Sequence, residues 1–172
     1  MSEDIRPAER TEELLALLGD VPFEVHHAGD SDEEYAYLTE DNVCITVLDP
    51  HQDKKLFIDL DDEFTLTFDA FHCHYDPEDG YEEFVSDIRG ILQNDICAAT
   101  LYYGEEHKWL GSTCIAKADI SRPIKEVFRF ILKISEFKKQ LRDHGGEARF
   151  CFWDPVDDRM IDIPRAQKKE RM

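Results

Sequence analysis

The strongest constraint on the fold is the alternation of apolar and polar residues between residues 23 and 75. Short segments in this region have the twofold periodicity of β-strands with one buried face. The stretches between them are rich in Gly, Asp, Asn and Pro, which favour tight turns and therefore antiparallel neighbours. The candidate strands are residues 23–27, 35–38, 43–48, 55–60 and 64–75.

The last of these strands contains a change of phase. Its apolar residues are even-numbered from Phe64 to Phe68 and odd-numbered from Phe71 to Tyr75. One extra residue in a strand moves every later side chain to the opposite face. We therefore predict a single strand over residues 64–75 that carries a β-bulge.

Three segments have the period of amphipathic helices, near residues 8–18, 77–93 and 122–142. The second follows Asp76 and Pro77, a pair that is typical of a helix start because aspartate caps the first turn and proline fits its first position. The third ends before two consecutive glycines, which are common where helices stop. These segments are expected to pack on the sheet.

Two hairpins are predicted at residues 96–115 and 147–163, each with a turn between two strand-like segments. The whole pattern indicates an α+β protein with a largely antiparallel sheet of about eight or nine strands. A length of 172 residues is typical of one domain. We predict a single α+β domain over residues 1–163 and a loose C-terminal tail over residues 164–172.

The net charge of −19 is confined to the first half of the chain. Residues 1–80 contain 23 acidic and four basic residues, whereas residues 81–172 contain 16 of each. Such a segregation of charge concerns partners and solubility, and it says nothing about the fold. It favours a partner that is positively charged.

The leading functional hypothesis is a non-enzymatic protein-binding module that presents its acidic half to a basic protein. One version is an inhibitor or immunity protein that covers a basic nuclease. The candidate partner-binding residues are Asp32, Glu33, Glu34, Asp59, Asp61, Asp62 and Glu63. Calcium binding by the last four is disfavoured, because the EF-hand spacing is missing.

A competing hypothesis is a small enzyme that uses His72 and His74, with a metal or as general bases. Residues two apart on a strand share a face, so both imidazoles can reach one ligand. Asp76 is a weak candidate for a third metal ligand. Two ligands do not define a site, so we assign no metal and no cofactor.

Other chemistry lacks support in the sequence. No glycine-rich phosphate loop and no nucleophile elbow is present, which favours a function other than catalysis. The aromatic residues of the hairpins have acidic neighbours, which disfavours nucleic-acid binding. The five cysteines are widely spaced and are expected to be buried free thiols.

The cellular setting is predicted from the same composition. No apolar run is long enough to span a membrane, and the charged N-terminus does not resemble a signal peptide, so we expect a cytoplasmic protein. A third hypothesis is a highly soluble protein whose acidic residues only keep it dispersed. The basic row Lys125, Arg129 and Lys133 is typical of a solvated helix face, and it adds the alternative of contact with the acidic half, within the monomer or in a homodimer.

Overall fold

The computed structural model shows an α+β fold, as predicted, with two antiparallel sheets of five and four strands. The residues that the structure describes are 6–39, 41–50 and 54–166. The chain divides into two compact units, Met1–Gly90 (unit 1) and Ile91–Met172 (unit 2). The single domain over residues 1–163 stays a prediction. Residues 167–172 of the predicted tail lie outside the described residues.

Unit 1 contains a five-stranded meander in which the strands pair in sequence order. A 3₁₀ turn, Pro7–Arg10, precedes the first helix. The elements are α1 (Thr11–Leu18), β1 (Phe23–His27), β2 (Val43–Leu48), β3 (Lys55–Leu60), β4 (Phe64–Phe68), β5 (Phe71–Tyr75) and α2 (Tyr81–Leu92). The division between the units falls within the last turn of α2.

One face of this sheet is apolar and the other is polar, because the strands alternate in the way that the sequence predicts. Ile45, Ile58 and Leu66 lie at matching positions of adjacent strands and are fully buried. Phe84 of α2 packs on the same face, with its ring 5.0 Å from that of Phe64. The opposite face therefore carries the polar side chains of the strands.

The predicted bulge over residues 64–75 is wrong, because this segment is a tight hairpin. Phe68 pairs directly with Phe71, so only two residues form the turn. Asp69 has a φ of 53°, which the first central residue of a primed hairpin turn requires and which aspartate tolerates. The turn places the even-numbered residues of β4 opposite the odd-numbered residues of β5. This pairing explains the change of phase.

The predicted strand over residues 35–38 is also absent. A 3₁₀ turn, Glu33–Tyr35, ends at the first residue of this segment. Tyr35 and Leu38 are three residues apart, so both point to the same side of a helical turn. Both are buried, in a cluster with Cys44. The hydroxyl of Tyr35 lies 2.9 Å from that of Thr46. The segment thus covers part of the outer face of the sheet.

Unit 2 contains a four-stranded sheet in the order β7-β6-β8-β9, and both predicted hairpins are present. Its elements are β6 (Ile96–Tyr103), β7 (Lys108–Ala116), α3 (Ile124–Val127), α4 (Ser135–His144), β8 (Gly146–Cys151) and β9 (Arg159–Ile163). The backbone N–H of Ala166 donates to the carbonyl of Arg142 at 2.9 Å. The start of the predicted tail is therefore held beside α4.

The predicted helix over residues 122–142 is divided into three short segments: α3, a 3₁₀ turn (Ile131–Lys133) and α4. Ile134 has an extended backbone and separates the last two. Phe128 packs 6.3 Å from Phe150 in the core, and Ile131 and Leu132 pack around the same cluster. Burial of these side chains overrides the helical period, since tertiary packing supplies most of the stability of a helix.

None of the helices in the described ranges combines the length and the apolar character that are needed to cross a bilayer.

Candidate functional site

The outer face of the first sheet aligns polar residues from adjacent strands. Thr65 of β4 pairs with His74 of β5, and Thr67 pairs with His72. On β3, Asp59 is the partner of Thr65. We call Thr65, Thr67, His72 and His74 the histidine face.

The two imidazoles contact each other, with their Nε2 atoms 3.0 Å apart. The Nδ1 atom of His72 lies 2.8 Å from the Thr67 hydroxyl. The Nδ1 atom of His74 lies 2.7 Å from a carboxylate oxygen of Glu63 and 3.1 Å from the Thr65 hydroxyl. All four nitrogen atoms of the pair therefore have hydrogen-bond partners.

The contacts of this pair assign its tautomers. A carboxylate only accepts hydrogen bonds, so neutral His74 carries its proton on Nδ1 and donates to Glu63. Its Nε2 then accepts a hydrogen bond from the Nε2–H of His72. The Nδ1 of His72 in turn accepts from the Thr67 hydroxyl. The pair is a continuous chain of hydrogen bonds that ends at a carboxylate.

A second polar contact on this face joins Tyr37 and Asp59. The Tyr37 hydroxyl donates to the Asp59 carboxylate. Burial raises the pKa of Tyr37 well above its ordinary value, and the bond to Asp59 raises it further. Burial also raises the pKa of the nearby Cys44 thiol to about 12. Both groups are therefore protonated at neutral pH and are not candidate bases.

The predicted partner-binding residues do not form one group. Asp32 caps the 3₁₀ turn by accepting from the backbone N–H of Glu34 at 3.0 Å. Glu34 pairs with Lys55, at the start of β3, at 3.1 Å. Glu34 and Lys55 line a cleft of about 390 Å³, together with Phe57 and Thr67. Asp61, Asp62 and Glu63 lie in the β3–β4 turn, past the other end of β3.

The strand pairing collects several acidic connections at that other end of the sheet. Leu60, Phe64 and Tyr75 are aligned, so the β3–β4 turn and the segment after β5 emerge side by side. Val43 pairs with Leu60, so the residues just before β2 lie at the same end of the sheet. Among the described residues, six exposed carboxylates lie within four residues of Val43, Leu60 or Tyr75, and we call them the acidic end: Asp41, Asp61, Asp62, Asp76, Glu78 and Asp79.

Few positive charges neutralise the acidic end. Arg6 lies 3.6 Å from Asp41, and both side chains are exposed. Within the described ranges, no other lysine or arginine forms an ion pair with these six residues. Asp76 accepts a hydrogen bond from the backbone N–H of Glu78 at 2.8 Å, so it caps a turn that precedes α2. Helix α2 begins at Tyr81, four residues later than predicted.

No protein-family model, curated protein or solved structure matches this chain. Its function must therefore be inferred from the arrangement of its own residues. In the described part of the chain, no group of three or more His, Cys, Asp or Glu side chains could hold a metal ion. The histidine face and the acidic end are the two candidate sites.

The basic row on the third predicted helix has a separate environment in unit 2. The Arg129 guanidinium and the Lys133 ammonium each lie 4.6 Å from the centre of the Phe130 ring. Phe130 is 64% exposed. Lys125 is exposed one turn earlier, in α3. The homodimer that this row suggests stays a prediction.

The cysteines are free thiols, as expected, but only some of them are fully buried. Cys44 and Cys97 are buried, whereas Cys73, Cys114 and Cys151 are partly exposed. Burial raises the pKa of Cys73, which disfavours the thiolate that a nucleophile requires. A nearby carboxylate, Asp87, raises the pKa of Cys73 further.

Asp87 is a half-buried carboxylate that the sequence does not reveal as a candidate, because its position on α2 is typical of the polar face of a helix. Its carboxylate accepts a hydrogen bond from the Tyr75 hydroxyl at 2.7 Å. Burial raises the pKa of Asp87 above its ordinary value of 3.8, and this effect outweighs the opposing effect of the Tyr75 bond. Ionisation of Asp87 is therefore less favourable in the folded state than in the unfolded chain.

Replacing Asp87 with asparagine is expected to stabilise the protein more at neutral pH than in acid. Because the pKa is raised on folding, the stabilisation from Asp87 is complete below about pH 3.8 and is lost as the pH rises through the folded-state pKa. Asparagine keeps the oxygen that accepts from Tyr75. Urea unfolding of both proteins, from below pH 3.8 to neutrality, measures the difference. A difference that does not change with pH would contradict the assignment.

Proposed function

We propose that this protein is a non-enzymatic binding module whose acidic end docks on a positively charged protein. The observation that carries the proposal is the strand pairing of unit 1, which brings acidic connections that are distant in sequence to one end of the sheet. A set of exposed carboxylates with one arginine nearby is a surface that attracts positive charge.

The opposite end of the sheet supports the same proposal by contrast. Lys54 and Lys55 line the cleft at that end, and Lys55 pairs there with Glu34. The two lysines of unit 1 are thus far along β3 from the acidic turn at residues 61–63. Glu34 and Asp69 line the same cleft, so that end carries both signs of charge, whereas the acidic end is mainly negative. A difference of this kind steers a partner into one orientation.

The expected contribution of the acidic end is mainly to the rate of association. Electrostatic steering raises association rates by about 10- to 1000-fold, and it weakens as salt screens charges beyond about 8 Å. An inhibitor or immunity protein that covers a basic enzyme is a specific form of this function. It needs fast association, because the partner must be covered soon after it meets the module.

Neutralising four carboxylates of the acidic end is expected to slow association with a basic partner by about tenfold or more. The variant is Asp61→Asn, Asp62→Asn, Asp76→Asn and Asp79→Asn, in which asparagine keeps the hydrogen-bond acceptors of the turns. Basic proteins are captured on the immobilised full chain at low salt and identified. Their association rates with wild type and variant are then measured at low and physiological salt.

The matched control carries the same change of charge elsewhere on unit 1: Asp20→Asn, Glu24→Gln, Glu33→Gln and Asp69→Asn. These four residues are exposed, and none of them lies within four residues of Val43, Leu60 or Tyr75. The control should associate at nearly the wild-type rate. Equal slowing by both variants would indicate that net charge alone acts, as in the hypothesis of a merely soluble protein. Capture that salt does not affect would also contradict the proposal.

The histidine-dependent enzyme stays a prediction, and one contact favours it as the second candidate. The Glu63 carboxylate orients the imidazole of His74, as carboxylates orient general bases in many enzymes. The acidic end does not require this chemistry. The two proposals concern different side chains of unit 1.

A further inference from the structure

The two imidazoles of the histidine face hold their Nε2 atoms in a geometry that suits a metal ion. These atoms lie 3.0 Å apart, and both side chains are exposed. Imidazole nitrogen binds first-row metals at about 2.0 to 2.1 Å. Two such ligands at adjacent corners of a square are therefore about 2.9 Å apart, whereas tetrahedral ligands are about 3.3 Å apart. The observed separation matches the square arrangement.

The partners on the far side of each ring resemble the outer shell of a metal site. Metal-binding histidines usually bond through their other nitrogen to a carboxylate, a carbonyl or a water. Here Glu63 contacts the Nδ1 of His74 at 2.7 Å, and Thr67 contacts the Nδ1 of His72 at 2.8 Å. Both rings are therefore fixed before any ion binds.

Metal binding requires one rearrangement of protons and no net loss of a proton. His72 must move its proton from Nε2 to Nδ1, which frees both Nε2 lone pairs for the ion. The Thr67 hydroxyl then accepts the new Nδ1–H bond, which it can do because a hydroxyl both donates and accepts. His74 already carries its proton on Nδ1, towards Glu63.

The chemistry of the ligands selects the class of metal. Two imidazoles favour nickel, copper or zinc over magnesium and calcium, which prefer oxygen. A square arrangement favours nickel(II) and copper(II) among these. The nearby carboxylates Asp61 and Asp62 are exposed and raise the local concentration of cations.

We propose that His72 and His74 together chelate one nickel(II)- or copper(II)-like ion through their Nε2 atoms, with water completing its coordination. Water is needed because the described residues offer no third protein ligand. The site should therefore bind more weakly than a four-ligand structural site. This binding goes beyond the proposed docking function, which requires no metal.

The test is a titration of the chelator-treated full chain with nickel chloride, followed by NMR of the imidazole signals. Nickel avoids the oxidation of free thiols that copper(II) can cause. We expect saturable binding of one ion, with paramagnetic broadening first at His72 and His74, because nickel(II) that is completed by water is six-coordinate and paramagnetic, with the two imidazoles at about 90° to each other. His72→Ala and His74→Ala should each abolish this binding. Thr67→Val should weaken it about tenfold, because it removes an outer-shell partner but keeps both ligands.

The control is His27→Ala, because His27 is exposed on β1 of the same sheet. This variant should bind nickel as tightly as wild type does. Backbone amide spectra must show that each variant remains folded. The proposal is overturned if millimolar nickel leaves the two imidazole signals sharp. It is also overturned if His27→Ala weakens binding as much as His72→Ala, or if the variant without both histidines binds as wild type does.

Discussion

Replacement of Phe84 by alanine is expected to destabilise unit 1 by about 3 to 5 kcal/mol, the usual cost of removing a buried phenylalanine ring. Phe84 is fully buried in α2. Its ring lies 5.0 Å from Phe64 on β4 and 5.3 Å from Tyr75 on β5. The ring therefore supports the hairpin that carries the histidine face, and its loss leaves a cavity beneath that hairpin.

Residue-resolved hydrogen exchange measures this change within unit 1, without assuming that the whole chain unfolds in one step. The amides of Ile45 and Leu66 should exchange at least about a hundredfold faster in Phe84→Ala, since each 1.4 kcal/mol is a factor of ten. Glu83→Ala is the matched control, because it removes an exposed neighbour on the same helix. Unchanged protection in Phe84→Ala would contradict the packing described here.

Replacement of Gly146 by alanine should be at least as damaging to unit 2, with a cost of about 3 kcal/mol or more. A Cβ atom at this position would lie 2.1 Å from the carbonyl oxygen of Tyr102. That oxygen belongs to the backbone of β6, which pairs with both β7 and β8. It cannot move without distorting the pairing of β6 with β8.

Gly111→Ala is the matched control for this substitution. A Cβ atom at Gly111 would also be crowded, at 2.8 Å from Ile131, but the crowded atom is the end of a side chain that can rotate. We expect Gly111→Ala to cost clearly less in urea unfolding than Gly146→Ala. Equal costs for the two variants would show that the backbone of β6 yields as easily as a side chain.

Much of the fold follows from the sequence, because strand alternation and turn composition are local signals. Three strands of the meander (β1, β2 and β3), both hairpins and the helices on either side of the meander were predicted in kind. Two of the exceptions have a common cause. In the segments 35–38 and 122–142, apolar residues turn inward to fill a core, and this need overrides the backbone period that the spacing suggests.

The hairpin at residues 64–75 shows a different limit of sequence patterns. A bulge and a two-residue turn both change the parity of the apolar residues, so the phase alone cannot distinguish them. Asp69-Ala70 is also a weak turn sequence, since it contains no glycine or asparagine. The direct pairing of Phe68 with Phe71 distinguishes them, and composition does not reveal it.

The candidate sites could be predicted only in part. The shared face of His72 and His74 follows from their spacing on one strand. The contacts with Thr67 and Glu63 do not, because they depend on the pairing of β4 with β5. The acidic end likewise depends on which strands are neighbours, since it joins residues as far apart in sequence as Asp41 and Asp79.

The length of the turn at Asp69-Ala70 controls which side of the sheet His72 and His74 occupy. A loop of three residues formed from the same sequence would pair Phe68 with His72, turn both imidazoles into the apolar interior and expose Tyr75 instead. The position of the two histidines therefore rests on this register and not on the residue types of the turn. In any homologue that keeps this chemistry, the pairing of Thr67 with His72 should be kept even where little else in the chain is recognisable.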